Sequence, residues 1–234
     1  MKLFIILLII KNCFCLLPSR RGILSNLVYS PSLLINQKND NEKFVLNQHL
    51  MNEDKSHDII QQVNNNIYFY SSVSQESCFE LTKMLIDIDK TSQEFILEYG
   101  VYSPPINLHI QSQGGSVLHA LYVIDTIKSL KTPVHTYING FAASAATLIS
   151  IVGDKRFISQ NSLMLIHQIS SFNSGKYDKM EEEMENLDNL MKIVIDVYLN
   201  NSKLNRNDLI DILKKDIWLD SKTCLSYGLI DVIY

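Results

Sequence analysis

Cysteine is scarce in this chain of 234 residues: there are four, and two of them, Cys13 and Cys15, sit close together near the start. The remaining pair, Cys78 and Cys224, is too distant and too small a set for a disulfide framework or a metal-ligand cluster. Both are expected to be buried as small apolar residues. An excess of positive charge is also missing, since 21 Lys and Arg against 25 Asp and Glu leave a net charge of -4. That removes compositional support for nucleic-acid binding. Long apolar runs are lacking as well. Leu3 to Ile10 is stopped by Lys11 and is too short to span a bilayer.

What is present first is a leader. Met1-Lys2, the run Leu3 to Ile10 and Cys13-Phe14-Cys15 read as a signal-like segment over 1–15. From Leu16 to Asn39 there is no Asp or Glu, while Arg20, Arg21, Lys38 and recurrent serines give a transit-like segment over 16–39. The two together point to a plastid bounded by extra membranes, with a secretory lumen or a mitochondrion as alternatives. Residues 40–66, rich in Asn, Gln, Asp and Lys, read as a polar arm or linker. A body over 67–234 follows. The 234-residue length and 46% hydrophobic content of the whole chain suit one sizeable domain with appendages, or two very small ones.

The body predicts an α/β fold. Ile67 to Tyr70 is a strand, and Ser74 caps a helix to about Asp89 with Phe79, Leu81, Leu85, Ile86 and Ile88 on its apolar face. After a connection ending at Pro104-Pro105, strands and helices alternate. Ile106 to Ile110, Val134 to Ile138 and Leu163 to Ile166 are strands, and Val117 to Leu130 and Ser144 to Val152 are helices. Such alternation implies right-handed crossovers and a largely parallel sheet. The apolar runs suggest strands covered on both faces. Lys176 to Asn200 reads as a long helix whose Met180, Met184, Leu187, Leu190, Met191 and Val194 form a stripe.

The chemistry lies in four stretches: Ser112-Gln113-Gly114-Gly115-Ser116, Gly140-Phe141-Ala142-Ala143-Ser144-Ala145-Ala146, Leu165-Ile166-His167-Gln168, and Asp216-Ile217-Trp218-Leu219. Ser144, among small residues at a strand-to-helix junction, is a candidate nucleophile. It lacks the glycine two residues earlier that an α/β-hydrolase elbow requires. Gly115 N–H and Ala145 N–H are candidate oxyanion donors. His167 closes an apolar strand, and C-terminal strand ends are where open α/β sheets build sites. His49, His57, His109, His119 and His135 lack that placement. Asp216 is the candidate orienting acid, with apolar neighbours expected to bury it against the imidazole. Asp208, Asp211 and Asp220 compete for the role. The set is that of acyl transfer by a serine nucleophile, with no metal-ligating group.

These ordered motifs, with Leu225 to Asp231 behind them, resemble the proteolytic subunit of the Clp protease, a serine peptidase family of the crotonase-like superfamily. The resemblance covers roughly Ile67 to Tyr234. It implies a crotonase/Clp-protease-like fold, with Ser144 as nucleophile, His167 as base, Asp216 as acid, and Gly115 and Ala145 as oxyanion donors. It also implies a projecting handle helix over about 176–200, and heptameric rings of this or homologous subunits stacked as a tetradecamer. A ring-shaped ATPase would feed in unfolded proteins and use the ATP, leaving no cofactor in this subunit. Gln113 and Ile169 stand where the family usually has proline, and the arm before Ile67 does not match its axial-loop segment. The rival readings are a crotonase-like acyl-CoA enzyme, a Ser/Lys relative of signal-peptide peptidases, and a non-catalytic ring subunit.

Overall fold

In the computed structural model the described residues are 58–172 and 174–234. The leader segments 1–15 and 16–39, and the arm as far as residue 57, lie outside them.

The described residues open on a hairpin, β1 (Ile59–Val63) and β2 (Asn66–Tyr70), paired antiparallel across Asn64-Asn65. β1 lies inside the stretch read as a polar arm. Its apolar residues Ile59, Ile60 and Val63 are separated by Gln61 and Gln62, and the exposed edge they form needs only a thin apolar pattern. Asn64 has φ 54, a left-handed value that asparagine tolerates in a tight turn.

Helix α1 (Gln75–Tyr99) starts as expected at Ser74, whose side chain accepts from Ser77 N–H in a capping box. It continues past Asp89 until Gly100, which closes it at φ 66. The buried side includes Cys78, Leu81, Leu85 and Ile88, whereas Phe79 and Ile86 face outward. Strand β3 (Ile106–Ser112), helix α2 (Val117–Ser129) and strand β4 (Val134–Ala143) follow, then helix α3 (Ala145–Ile151) and strands β5 (Lys155–Ile158) and β6 (Leu163–Leu165). Helix α4 (Tyr177–Asn200), helix α5 (Arg206–Leu213), strand β7 (Leu219–Asp220), helix α6 (Ser221–Ser226) and strand β8 (Val232–Ile233) complete the chain.

The sheet runs β1-β2-β3-β4-β5-β8, with β6 pairing with both β4 and β7. Only β1–β2 and β6–β7 are antiparallel, so the expected largely parallel sheet is present. Coverage on both faces is not. Burial alternates along β3 and β4, because Ile-Asn-Leu-His-Ile and Val-His-Thr-Tyr-Ile alternate apolar with polar or amphipathic side chains. Leu108, Ile110 and Ile138 point into the core, where each fully buried aliphatic side chain contributes about 1.5–3 kcal/mol. On the other face Tyr68, His109, Tyr137 and Phe157 stack in a row across neighbouring strands.

The element that matters most for the site is β4, which changes partners along its length. His135 to Ile138 pair with β5, while Phe141 to Ala143 pair with β6. Its register to β3 jumps between Ile138 and Ala142, and Gly140 takes φ 82 at the jump. The bulge redirects the strand so that Ser144 emerges beside the end of β6.

Candidate active site

Ser144 holds a backbone conformation that few side-chain-bearing residues adopt, φ 53 and ψ -128. Such a conformation costs on the order of 1–3 kcal/mol and persists only where the surroundings enforce it. The enforcement is visible on both sides of the residue. Ser144 N–H donates to the Leu165 carbonyl on β6 at 2.8 Å. Its carbonyl accepts from Thr147 N–H at 2.9 Å and from Thr147 Oγ1 at 2.5 Å. The Ser144 hydroxyl makes no capping bond to α3, which leaves it available. Ala142, Ala143, Ala145 and Ala146 are all buried, so larger side chains in those positions would push the turn apart.

The Gly114-Gly115 turn packs onto this junction. A Cβ on Gly114 would lie 2.5 Å from the Ala143 carbonyl and 2.7 Å from Ser144 Cβ, and its φ is 90. Only glycine fits. Gly115 forms a bridge with Val73, and a Cβ there would collide with the Val73 carbonyl oxygen. In that bridge Val73 N–H donates to Gly114 and Val73 C=O accepts from Ser116 N–H, both at 2.8 Å. Val73 therefore bonds the residues flanking Gly115, and the Gly115 N–H itself points to the opposite side. Gly114 brings that strand end against Ala145 N, so the two candidate donors lie at one junction.

His167 lies two residues past the end of β6, after the buried Ile166. The next residue, Gln168, donates its N–H to the Leu213 carbonyl at 2.8 Å, which ties the exit of β6 to the end of α5. Three residues beyond Leu213, Asp216 Oδ1 lies 3.4 Å from His167 Nδ1. The competing carboxylates are engaged elsewhere. Asp208 accepts from the Asn205 amide, Asp211 faces Lys214, and Asp220 caps α6 by accepting from Thr223 N–H. The expected burial of Asp216 is absent: its side chain is 81% exposed against 22% for His167. The apolar neighbours turn elsewhere, because Ile217 is exposed and Trp218 meets Phe141 edge to face.

The structure thus joins His167 to Asp216, and Gly114 to the Ser144–Ala145 junction. No hydrogen bond joins Ser144 Oγ to His167, a link that in unliganded sites is often long and tightens with substrate. The other described histidines serve elsewhere. His109 stacks between Tyr68 and Tyr137, His135 leans on Phe157, and His119 lies on α2. Cys78 and Cys224 are buried, as expected, and burial raises both thiols, Cys224 to about 12. Neither is a thiolate nucleophile at neutral pH. Among the described residues no group of acidic, histidine or cysteine side chains could hold a metal.

The profile of the Clp protease family matches residues 51–234. The chain belongs to the Clp protease family. That family is one of serine peptidases, whose subunits form oligomeric ring complexes with Clp ATPases. The chain is 30% identical over 130 residues to the ATP-dependent Clp protease proteolytic subunit of Deinococcus radiodurans, covering 55% of this chain and 64% of that one. The corresponding subunit of Bigelowiella natans is 27% identical over 169 residues, covering 71% and 82%. A solved ClpP1 variant from Listeria monocytogenes superposes with a TM-score of 0.64 at 22% identity, over 81% of this chain and 95% of that one. The Clp-protease fold is therefore the fold of this chain. The acyl-CoA and non-catalytic readings are not favoured.

Thr147 and Tyr198 escaped the sequence reading. Thr147 had a faint signal as a polar residue three positions after Ser144 in an otherwise apolar helix start. Tyr198 had none, because its partner is 51 residues away.

Proposed function

We propose that this chain is a serine endopeptidase subunit that cleaves unfolded proteins to short peptides through an acyl-enzyme on Ser144. The observation that carries the reading is the strained Ser144 turn, bonded on both flanks, with Gly114 against it and the His167–Asp216 pair entering from the adjacent strand. In the first half of the reaction Ser144 Oγ attacks the scissile carbonyl while His167 Nε2 takes its proton. Asp216 accepts from Nδ1–H, which fixes the tautomer and balances the imidazolium. The oxyanion accepts from Gly115 N–H and Ala145 N–H, an arrangement worth on the order of 10²-fold or more in rate. Collapse expels the amine, protonated by His167, and leaves the acyl group on Ser144. Water, deprotonated by His167, then releases the second product.

The handle is α4. Its C-terminal part is buried through Val194, Ile195, Val197 and Tyr198, whereas Met180 and Met184 in its first half are exposed. An apolar stripe on a projecting element marks an interface, which supports heptameric rings stacked through α4 into a closed tetradecamer. In that assembly the partner ATPase consumes ATP and this subunit needs no cofactor. The plastid is the compartment the leader supports, and the Bigelowiella natans relative comes from a plastid-bearing organism. The test is peptidase turnover together with size by light scattering. Wild type should be a large, active assembly, and Ser144→Ala an equally large, inactive one. Charges at Leu187 and Leu190 (Leu187→Glu with Leu190→Glu) should give small, folded, nearly inactive particles. A fully active monomer would overturn the assembly, and an active Ser144→Ala would overturn the chemistry.

A further inference from the structure

Behind the strained turn lies a buried polar chain that links α4 to the nucleophile. Tyr198 OH is 2.5 Å from Thr147 Oγ1, and Thr147 Oγ1 is 2.5 Å from the Ser144 carbonyl. Thr147 and Tyr198 are both within the core, at 0% and 1% exposure. The direction of each bond follows from chemistry. A carbonyl only accepts, so the single Thr147 hydroxyl proton is committed to Ser144. Thr147 Oγ1 must then accept, and the Tyr198 hydroxyl must donate. Burial raises the Tyr198 phenol well above its ordinary value, so this donor keeps its proton. The order Tyr198 O–H to Thr147 O–H to Ser144 C=O has no alternative while all three stay buried.

We infer that Thr147 and Tyr198 are positioning residues for acyl transfer, holding the peptide group after Ser144 so that the hydroxyl and the Ala145 N–H keep their mutual orientation. This rests on the peptidase reading. Three observations converge on it. The Ser144 carbonyl takes both of its bonds from Thr147, through the backbone N–H and Oγ1. That same peptide carries the Ala145 N–H, so a rotation that freed the carbonyl would turn the donor away from the oxyanion. Thr147 also interrupts an apolar helix start, and there a hydroxyl without partners would be costly. A side chain needed only to fill space would not have to be polar.

The test measures steady-state peptide hydrolysis and the rate of fluorophosphonate labelling on the full chain. Thr147→Val keeps the shape and removes the donor, so kcat and labelling should fall about tenfold while KM stays within about twofold. Thr147→Ser restores the hydroxyl and should return kcat to within about twofold of wild type. Tyr198→Phe should lower kcat about threefold. Adding Tyr198→Phe to Thr147→Val should cost no more than Thr147→Val alone, because the chain is already cut. If Thr147→Val does not fold, Thr147→Ser and Tyr198→Phe carry the test. Undiminished kcat in Thr147→Val or Tyr198→Phe, or Thr147→Ser as slow as Thr147→Val, overturns the inference while leaving the peptidase reading intact. A wild-type chain without turnover or labelling overturns the peptidase reading itself.

Discussion

Ser144 sits in a turn whose two peptide groups are both bonded and whose neighbouring alanines are buried, whereas Asp216 stands on an exposed turn and reaches His167 at 3.4 Å. The end that carries the proposed nucleophile is held by elements that belong to the core: β4, β6, α3 and the Gly114-Gly115 turn. The proposed acid end is tied by the Gln168 to Leu213 backbone bond, by the bonds of Lys214 and Lys215 N–H back to Ile210 and Ile212, and by the short β6–β7 pairing. Placing a nucleophile and two oxyanion donors tolerates little error, because misplacement on the scale of one ångström costs orders of magnitude in rate. Orienting an imidazole tolerates more, since one carboxylate contact suffices to choose the tautomer. The molecule spends its rigidity where geometry is most demanding.

Six substitutions, in four groups, would break or sharpen that contrast. The largest effect is expected from Ser144→Ala, which removes the attacking group and should lower kcat by on the order of 10⁵-fold or more, read as peptide hydrolysis at saturating substrate. Next is Gly114→Ala. Its methyl would strike Ala143 and Ser144, and its φ of 90 is hostile to a side chain, so turnover should fall by on the order of 10³-fold. A Gly114→Ala protein with normal kcat would show that the turn is looser than described.

Asp216→Asn should cost less, on the order of 10²-fold in kcat, because the carboxylate is exposed and partly replaceable by water. Asp208→Asn and Asp220→Asn should leave kcat within about threefold, since the Asp208 carboxylate accepts from the Asn205 amide and the Asp220 carboxylate caps α6. If Asp220→Asn were inactive and Asp216→Asn normal, the acid end would be misassigned.

The smallest effect is a control on the open face of the sheet. Burial lowers the His109 pKa below its ordinary 6.5, against an opposing hydrogen bond that His109 Nδ1 makes to Asn139 Oδ1. Burial does the same at His135, opposed by Asp154. Below 6.5 the unfolded chain takes up protons that the folded chain refuses, so stability falls as pH drops toward the lowered folded values. His109→Gln should flatten that slope in thermal melts between about pH 7 and pH 5 without changing kcat at neutral pH. An unchanged slope would mean that His109 titrates as freely folded as unfolded.

The nucleophile end was also the more legible one in the sequence. Gly140-Phe141-Ala142-Ala143-Ser144-Ala145-Ala146 announces a tight junction, because only small residues allow backbone to approach so closely, and Gly114-Gly115 announces its partner. The acid end was half legible. Asp216 stands out by its Asp-Ile-Trp-Leu context and by the family resemblance, with Asp208, Asp211 and Asp220 competing, but the burial expected from Ile217 and Trp218 is absent, because short apolar neighbours do not say which way a loop faces. Strand β1 was hidden in a Gln- and Asn-rich stretch, and β5 by its charged start Lys155-Arg156, since an edge or lightly covered strand needs few apolar residues. The Tyr198–Thr147 contact depends on how α4 docks against α3, and no local pattern encodes that.

The most direct measurement is peptide mapping by mass spectrometry after treatment with a β-lactone, on wild type and Ser144→Ala side by side. One stable acyl adduct is expected, on the peptide that contains Ser144, absent from Ser144→Ala and slowed in Gly114→Ala. An adduct on another serine, on Lys155, or retained at full level in Ser144→Ala would contradict it.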